Sequence, residues 1–142
     1  MNLEGPQQYL LWLPRRRFSV RALLSGGKFT APATKPGPKL YVVRAGGRPV
    51  YVGTTVQPIA SRLRSGWSAD GAHGYYGYSW RKAFRRVVLD IWYPGTASDR
   101  DAQTDLETIE AELVYELRRR DGRWPQYQTE IHFHAPLAHH RE

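Results

Sequence analysis

The sequence predicts an α+β fold: a small three-stranded antiparallel sheet flanked by helices, preceded by an N-terminal extension. Three observations carry this expectation. Two β-rich runs, LYVV and PVYVG, are joined by RAGGR, whose adjacent Gly46 and Gly47 suit a hairpin turn. A third run, VVLDIWYP, is enriched in β-branched and aromatic residues. Helical spacing is present in VQPIASRLR and in a longer stretch from about Thr104 to Arg120.

Taken in order, residues 1–38 read as an N-terminal arm and linker. The apolar patch Tyr9 to Leu13 and the following RRRFSVRALL form a short helix or an arm against the core, and GGKFTAPATKPGP lacks the pattern of any regular element. The main domain spans 39–134, with 135–142 as a C-terminal tail. After the hairpin, Pro58 suits a first helical turn, and Ile59 and Leu63 lie four apart on one face. SGWSADGAHGYYGYSW is a glycine-rich aromatic loop, of a length usually reserved for function or for wrapping a core. RKAFRR reads as a helical turn before the third strand. PGTASDRD is a turn before the long helix, GRWPQYQ ends that helix, and TEIHFH reads as a final short strand.

At 142 residues the chain has room for one modest core. Its 21 basic and 13 acidic residues leave a net charge of +8, which favours an acidic partner. The charge is uneven: residues 1–90 hold 15 basic and 3 acidic side chains, and residues 91–142 hold 6 and 10. One part should attract phosphate while the other gathers carboxylates. An amphipathic helix with acids at its start and Arg118 to Arg120 at its end would also account for the second part. With no cysteine, disulfides, thiolate metal sites and a cysteine nucleophile are excluded. YLLWL is far short of the ~18 apolar residues of a membrane span, and its flanks have the wrong order for a secretory signal. A cytoplasmic protein without membrane attachment is expected.

On a helical projection at ~100° per residue, Leu106, Ile109, Leu113 and Leu117 define an apolar face. Glu107, Glu112 and Glu116 fall on its flanks or outside it, whereas Glu110 falls within it. Burying an unpaired carboxylate costs several kcal/mol. A glutamate held there calls for a cationic partner, a hydrogen-bond network or a metal ion.

These residues resemble a known family. KLYVV with Tyr41, then VYVG with Tyr51 and Gly53, is similar to the paired strand motif of the GIY-YIG nuclease superfamily, whose two tyrosines commonly stand ten positions apart, as here. In that family a helix after the hairpin carries an arginine, matched by Arg62. A later helix carries a metal-binding glutamate with apolar residues three and four positions on, matched by Glu110, Leu113 and Val114. The resemblance covers about Lys39 to Gln128. It departs at Lys39, where the family usually has glycine, at Thr54, often lysine, and at Gln128 in PQYQ, in place of the terminal asparagine.

The resemblance implies a GIY-YIG-like fold and a divalent-metal-dependent endonuclease acting on DNA, with RNA as the other candidate substrate. Glu110 would hold Mg2+ or Mn2+, Arg62 would contact the scissile phosphate with Arg64 as the alternative, and Tyr41 and Tyr51 would position or deprotonate water. Cationic neighbours or the metal would have to lower a phenol's pKa from about 10 for the base role. Among further candidates, His73 lies in the aromatic loop, Arg81, Lys82, Arg85 and Arg86 form a phosphate-contacting stripe, and Gln128 is a weak carry-over. His132 and His134 alternate on the last strand as a metal pair or, more commonly, as solvent-facing or packing residues. Two other functions compete: a catalytically impaired nucleic-acid-binding protein of the same fold, and a basic RNA- or ribosome-associated protein.

Overall fold

A computed structural model of the chain describes residues 3–13, 21–22, 27–68, 78, 80, 84–95, 99–123 and 125. These residues form β1 (Leu3–Trp12), β2 (Arg21–Ala22), β3 (Lys39–Ala45), β4 (Arg48–Thr55), α1 (Ile59–Ser68), β5 (Arg86–Pro94) and α2 (Asp99–Asp121). The strands make one antiparallel sheet in the order β2-β1-β5-β3-β4. The α+β class, the hairpin, the third run and both helices are as expected from the sequence. The final strand expected at TEIHFH lies outside the described residues.

The sheet is larger than the three strands expected, because residues assigned to the arm are in it. Side chains alternate along β1, so Tyr9 and Leu11, with Leu13 just beyond, enter the core at 0%, 0% and 2% exposure while Trp12 on the other face stays 41% exposed. β1 pairs with β5 along its length, from Leu3 opposite Pro94 to Trp12 opposite Arg86. Its apolar patch is therefore half of a strand pairing with residues about eighty positions away.

The β3–β4 turn is made by Gly46 and Gly47, whose φ angles of 59° and 77° are the positive pair that a two-residue hairpin turn requires. Two apolar layers cover the sheet. On one face Tyr9, Tyr41, Val43, Tyr51, Leu89 and Ile91 pack with Ile59 and Leu63 of α1 and with Tyr78 and Trp80. On the other, Leu40, Val42 and Val52 meet Leu106, Val114 and Leu117 of α2. Asp90 on β5 is a buried carboxylate that accepts hydrogen bonds from Arg44 (2.5 and 3.2 Å) and Gln8 (2.8 Å), tying β5 to both neighbours.

The glycine- and proline-rich stretch before β3 has neither helix nor strand from Gly27 to Pro38, as expected, yet it is bound closely to the domain. Ile59 N donates to Ala33 O at 2.8 Å, Gly37 N to Val56 O at 2.7 Å, and Thr30 N to the Tyr9 hydroxyl at 3.0 Å. Lys39 completes the attachment: its Nζ donates to the carbonyls of Lys35, Gly37 and Gln57 at 2.6 to 2.8 Å. The α2 helix begins at Asp99, five residues before the expected start, and Asp101 in its first turn suits the positive end of a helix. No helix among the described residues is long and apolar enough to cross a membrane.

Candidate functional site

The site straddles β4, which lies at the edge of the sheet. Tyr41 on β3 stands opposite Gly53 on β4. A Cβ at Gly53 would lie 2.6 Å from both Cζ and the hydroxyl oxygen of Tyr41. The missing side chain is thus the space through which the Tyr41 ring reaches the edge strand. The next residue, Thr54, projects to the other face, where its Oγ1 donates to Glu110 Oε2 at 3.5 Å. One step of strand alternation therefore sets the tyrosine on one side of β4 and the glutamate on the other, both close to its edge.

Glu110 is fully buried, whereas Glu107 is half-buried and Glu112 and Glu116 are exposed. The helical projection thus selects the inward carboxylate correctly. On α1, Ile59, Arg62, Leu63 and Gly66 follow the three- and four-residue spacing of a single face. Arg62 Cζ sits 4.9 Å from the centre of the Tyr78 ring, a cation–π arrangement. Arg64, two positions on, is on the exposed side of the helix. Of the two candidate arginines, Arg62 is the one beside the tyrosines.

Tyr78 is the residue that sequence reasoning missed. Its hydroxyl lies 2.8 Å from that of Tyr41, and its backbone N donates to Gly66 O at 3.0 Å. A Cβ on Gly66 would fall 2.1 Å from the Tyr78 ring, so that glycine too is a ring seat. Tyr51 packs edge-on against Tyr78 at 5.2 Å and lies 6.1 Å from Tyr41, while Trp80 backs Tyr78 at 4.8 Å. The only sequence signal for Tyr78 was its place in an aromatic glycine-rich loop, where Tyr75 and Tyr76 offered equal claims.

The electrostatics follow from this packing. Burial pushes the Tyr41 phenol above its ordinary value. Arg62 and hydrogen bonds with Tyr78 and Tyr51 pull it down, and the Glu110 charge pushes it up. Tyr78 is raised further, again chiefly by burial. The cationic neighbour required for a phenolate at neutral pH is present, and desolvation outweighs it.

No family model matches the chain. No curated protein and no solved structure matches it either. The site must be read on its own chemistry.

Of the sequence-selected residues, Tyr41, Tyr51 and Arg62 gather on the α1 face of the sheet, while Glu110 lies across β4 on the α2 face, near enough for its charge to bear on Tyr41. Arg85 and Arg86 do not: both are exposed at the start of β5, where Arg86 is five residues, ~16 Å of strand, from Ile91, the register partner of Tyr41. His73, Arg81, Lys82, Gln128, His132 and His134 lie outside the described residues. The departures at Lys39 and Thr54 have structural counterparts, since Lys39 binds three carbonyls and Thr54 bonds the glutamate.

As a cation site Glu110 offers one carboxylate beside the Thr54 hydroxyl, with the tyrosine hydroxyls on the other face of the sheet, and no group of three or more histidines, cysteines or acids occurs among the described residues. That set does not suit zinc or an all-protein calcium cage. It does fit Mg2+ or Mn2+, which take one or two carboxylates and complete their shell with water and phosphate oxygens.

Proposed function

We propose that the chain is a divalent-metal-dependent endonuclease of GIY-YIG type that hydrolyses phosphodiester bonds in DNA. The observation that carries this reading is that Tyr41, Tyr51, Arg62 and Glu110, chosen from separate stretches of sequence, flank the edge strand β4 from its two faces, with the charges of Arg62 and Glu110 both bearing on Tyr41. Phosphodiester hydrolysis needs an oriented water and positive charge on the phosphate. Arg62, held by α1 over Tyr78, contacts the scissile phosphate as a planar fork. Tyr41 and Tyr51 orient the attacking water through their hydroxyls, and Tyr78 holds Tyr41 in place. Glu110, within hydrogen-bonding reach of Thr54, would hold Mg2+ or Mn2+, which would supply Lewis-acid charge and acidify water. The proposed setting is cytoplasmic.

A specific observation favours a second reading, a nucleic-acid-binding protein impaired in catalysis: Tyr41 and Glu110 are both 0% exposed, so substrate reaches them only after local opening. Nicking of supercoiled plasmid and cutting of single-stranded DNA, with Mg2+ or Mn2+, separates the two. The expected result is cleavage by the wild type and a loss of at least ~100-fold in Glu110→Gln and Arg62→Ala, the scale for removing one transition-state contact. Equal cutting by Glu110→Gln refutes the catalytic assignment, and DNA binding without any cutting supports the second reading.

A further inference from the structure

A cavity of about 470 Å³ lies between the N-terminal end of β4 and the C-terminal end of α2. Arg48, Arg120 and Arg123 line it, with Asp121, Pro49 and Pro125. We propose that this pocket is a second phosphate-binding site, distinct from the Tyr41–Glu110 cluster, that grips the sugar-phosphate backbone of the substrate nucleic acid. The inference rests on the nuclease reading for the identity of the polyanion.

Three arginines from separate places meet here. The negative end of the helix dipole accounts for basic residues in the last turn of α2, Arg118 to Arg120. It does not account for Arg48, which comes from a strand 72 positions before Arg120. Nor does it account for Arg123, which follows Gly122, where a φ of 76° turns the chain out of the helix. Arg120 spends its fork on Asp121, with Nε and Nη2 at 2.8 and 3.1 Å from the carboxylate oxygens. The Asp121 carboxyl, held below its ordinary value chiefly by the hydrogen bond from Arg120, also feels the charges of Arg48 and Arg123, but no carboxylate among the described residues comes within ion-pair distance of either arginine. The lining, three arginines and one aspartate, therefore carries a net charge of +2, and its like charges are brought together by the fold. An incoming phosphate would relieve that repulsion.

Position makes nucleic acid the fitting occupant. Arg48 is five residues from Gly53 along β4, ~16 Å at strand rise. Arg120 is ten residues from Glu110 along α2, ~15 Å at helical rise. Two independent elements thus set a similar separation between the pocket and the residues of the proposed site, Gly53 beneath Tyr41 on one and Glu110 on the other. At ~3.4 Å per nucleotide, one backbone spans it in four to five steps. A small anion would fill the pocket without using this spacing, whereas a nucleic-acid strand engages both points.

The test is fluorescence anisotropy of a labelled DNA duplex of about 24 base pairs, roughly five pocket-to-cluster spans at ~3.4 Å per step, in EDTA over a series of salt concentrations, using the full chain. Wild type is compared with Arg48→Gln/Arg123→Gln, and with Arg118→Gln/Arg119→Gln as an equal loss of exposed charge outside the pocket lining. Circular dichroism checks that each is folded. The expected result is a shallower slope of log K against log salt by about 1.8 in the first variant, from ~0.9 per phosphate contact, with affinity at least ~10-fold weaker and a clearly smaller loss in the second. Wild-type binding with equal losses in both variants, or none in the first, overturns the pocket while leaving the nuclease reading standing. No wild-type binding even at low salt overturns both.

Discussion

Gly53→Ala tests the geometry of the site most directly. The added methyl carbon would stand 2.6 Å from two atoms of Tyr41 and 3.0 Å from a third. Contacts between carbon atoms are favourable at about 3.5 to 4.0 Å, so the ring must retreat by roughly 1 Å. It has little room to do so, since Tyr41 is fully buried and hydrogen-bonded to Tyr78. Overpacking of this kind costs about 1–3 kcal/mol, partly offset by the ~0.5–1 kcal/mol that alanine recovers relative to glycine in a strand. A net loss of about 1–2 kcal/mol is expected in urea unfolding, with a fall in any cleavage activity because the Tyr41 hydroxyl is displaced. Tyr41→Leu removes the obstructing hydroxyl and ring carbons. In that background Gly53→Ala should cost at least ~1 kcal/mol less than in wild type, a coupling well outside the ~0.3–0.5 kcal/mol scatter of independent sites. Additive effects, or a Gly53→Ala protein as stable as wild type, would show that the glycine is not a seat for the ring.

The hydroxyl pair gives a second expectation: Tyr41→Phe and Tyr78→Phe each strand a buried hydroxyl and cost ~1–2 kcal/mol, while the double variant costs less than their sum, as read from urea midpoints. Lys39 gives a third. Burial lowers its ammonium to about 8 from 10.5, so the unfolded chain binds more protons between those values and stability rises with pH there. Above pH ~10 the raised Tyr41, Tyr78 and Tyr93 act in the same direction as one another: the unfolded phenols ionise first, so stability falls. A gain of about 1 kcal/mol between pH ~8 and ~9.5, absent in Lys39→Met, is the expected signature in denaturant titrations.

What the sequence disclosed was local. The hairpin announces itself because two adjacent glycines supply the positive φ angles at a turn flanked by alternating strands. Glu110 is visible because helical periodicity is a property of neighbours, so one projection finds the carboxylate that faces inward. β1 was hidden for the complementary reason. YLLWL carries no polar alternation strong enough to declare a strand, since apolar Leu10 and Trp12 occupy the face opposite Tyr9 and Leu11, and its partner β5 lies about eighty residues away. Lys39 is a similar case. A lysine reads as a solvated cation, and only the approach of three carbonyls, from Lys35, Gly37 and Gln57, turns it into a buried tie between the pre-strand segment and the domain. Tyr78 required knowing that Gly66 leaves a gap on α1 and that Tyr41 ends beside it, neither of which is written in the loop's own composition.

The same packing bears on how the proposed reaction could use its tyrosines. Arg62 favours the Tyr41 phenolate and Glu110 disfavours it, so the two charges act against each other and desolvation decides the direction. Tyr41 is accordingly a neutral phenol at neutral pH, able to donate one hydrogen bond and accept others. Tyr78, raised further, is neutral as well. Tyr41 and Tyr78 therefore act as orienting hydroxyls, and neither is a base strong enough to take the proton of water at neutral pH. Under the nuclease reading, Glu110 would hold a cation whose charge would supply the acidification of water. This leaves Tyr41 and Tyr51 a geometric role, fixing the line of attack on a phosphate that Arg62 grips. Such a division agrees with the burial of the rings, because a positioning group gains from rigid packing, whereas a group that must become an anion loses by it.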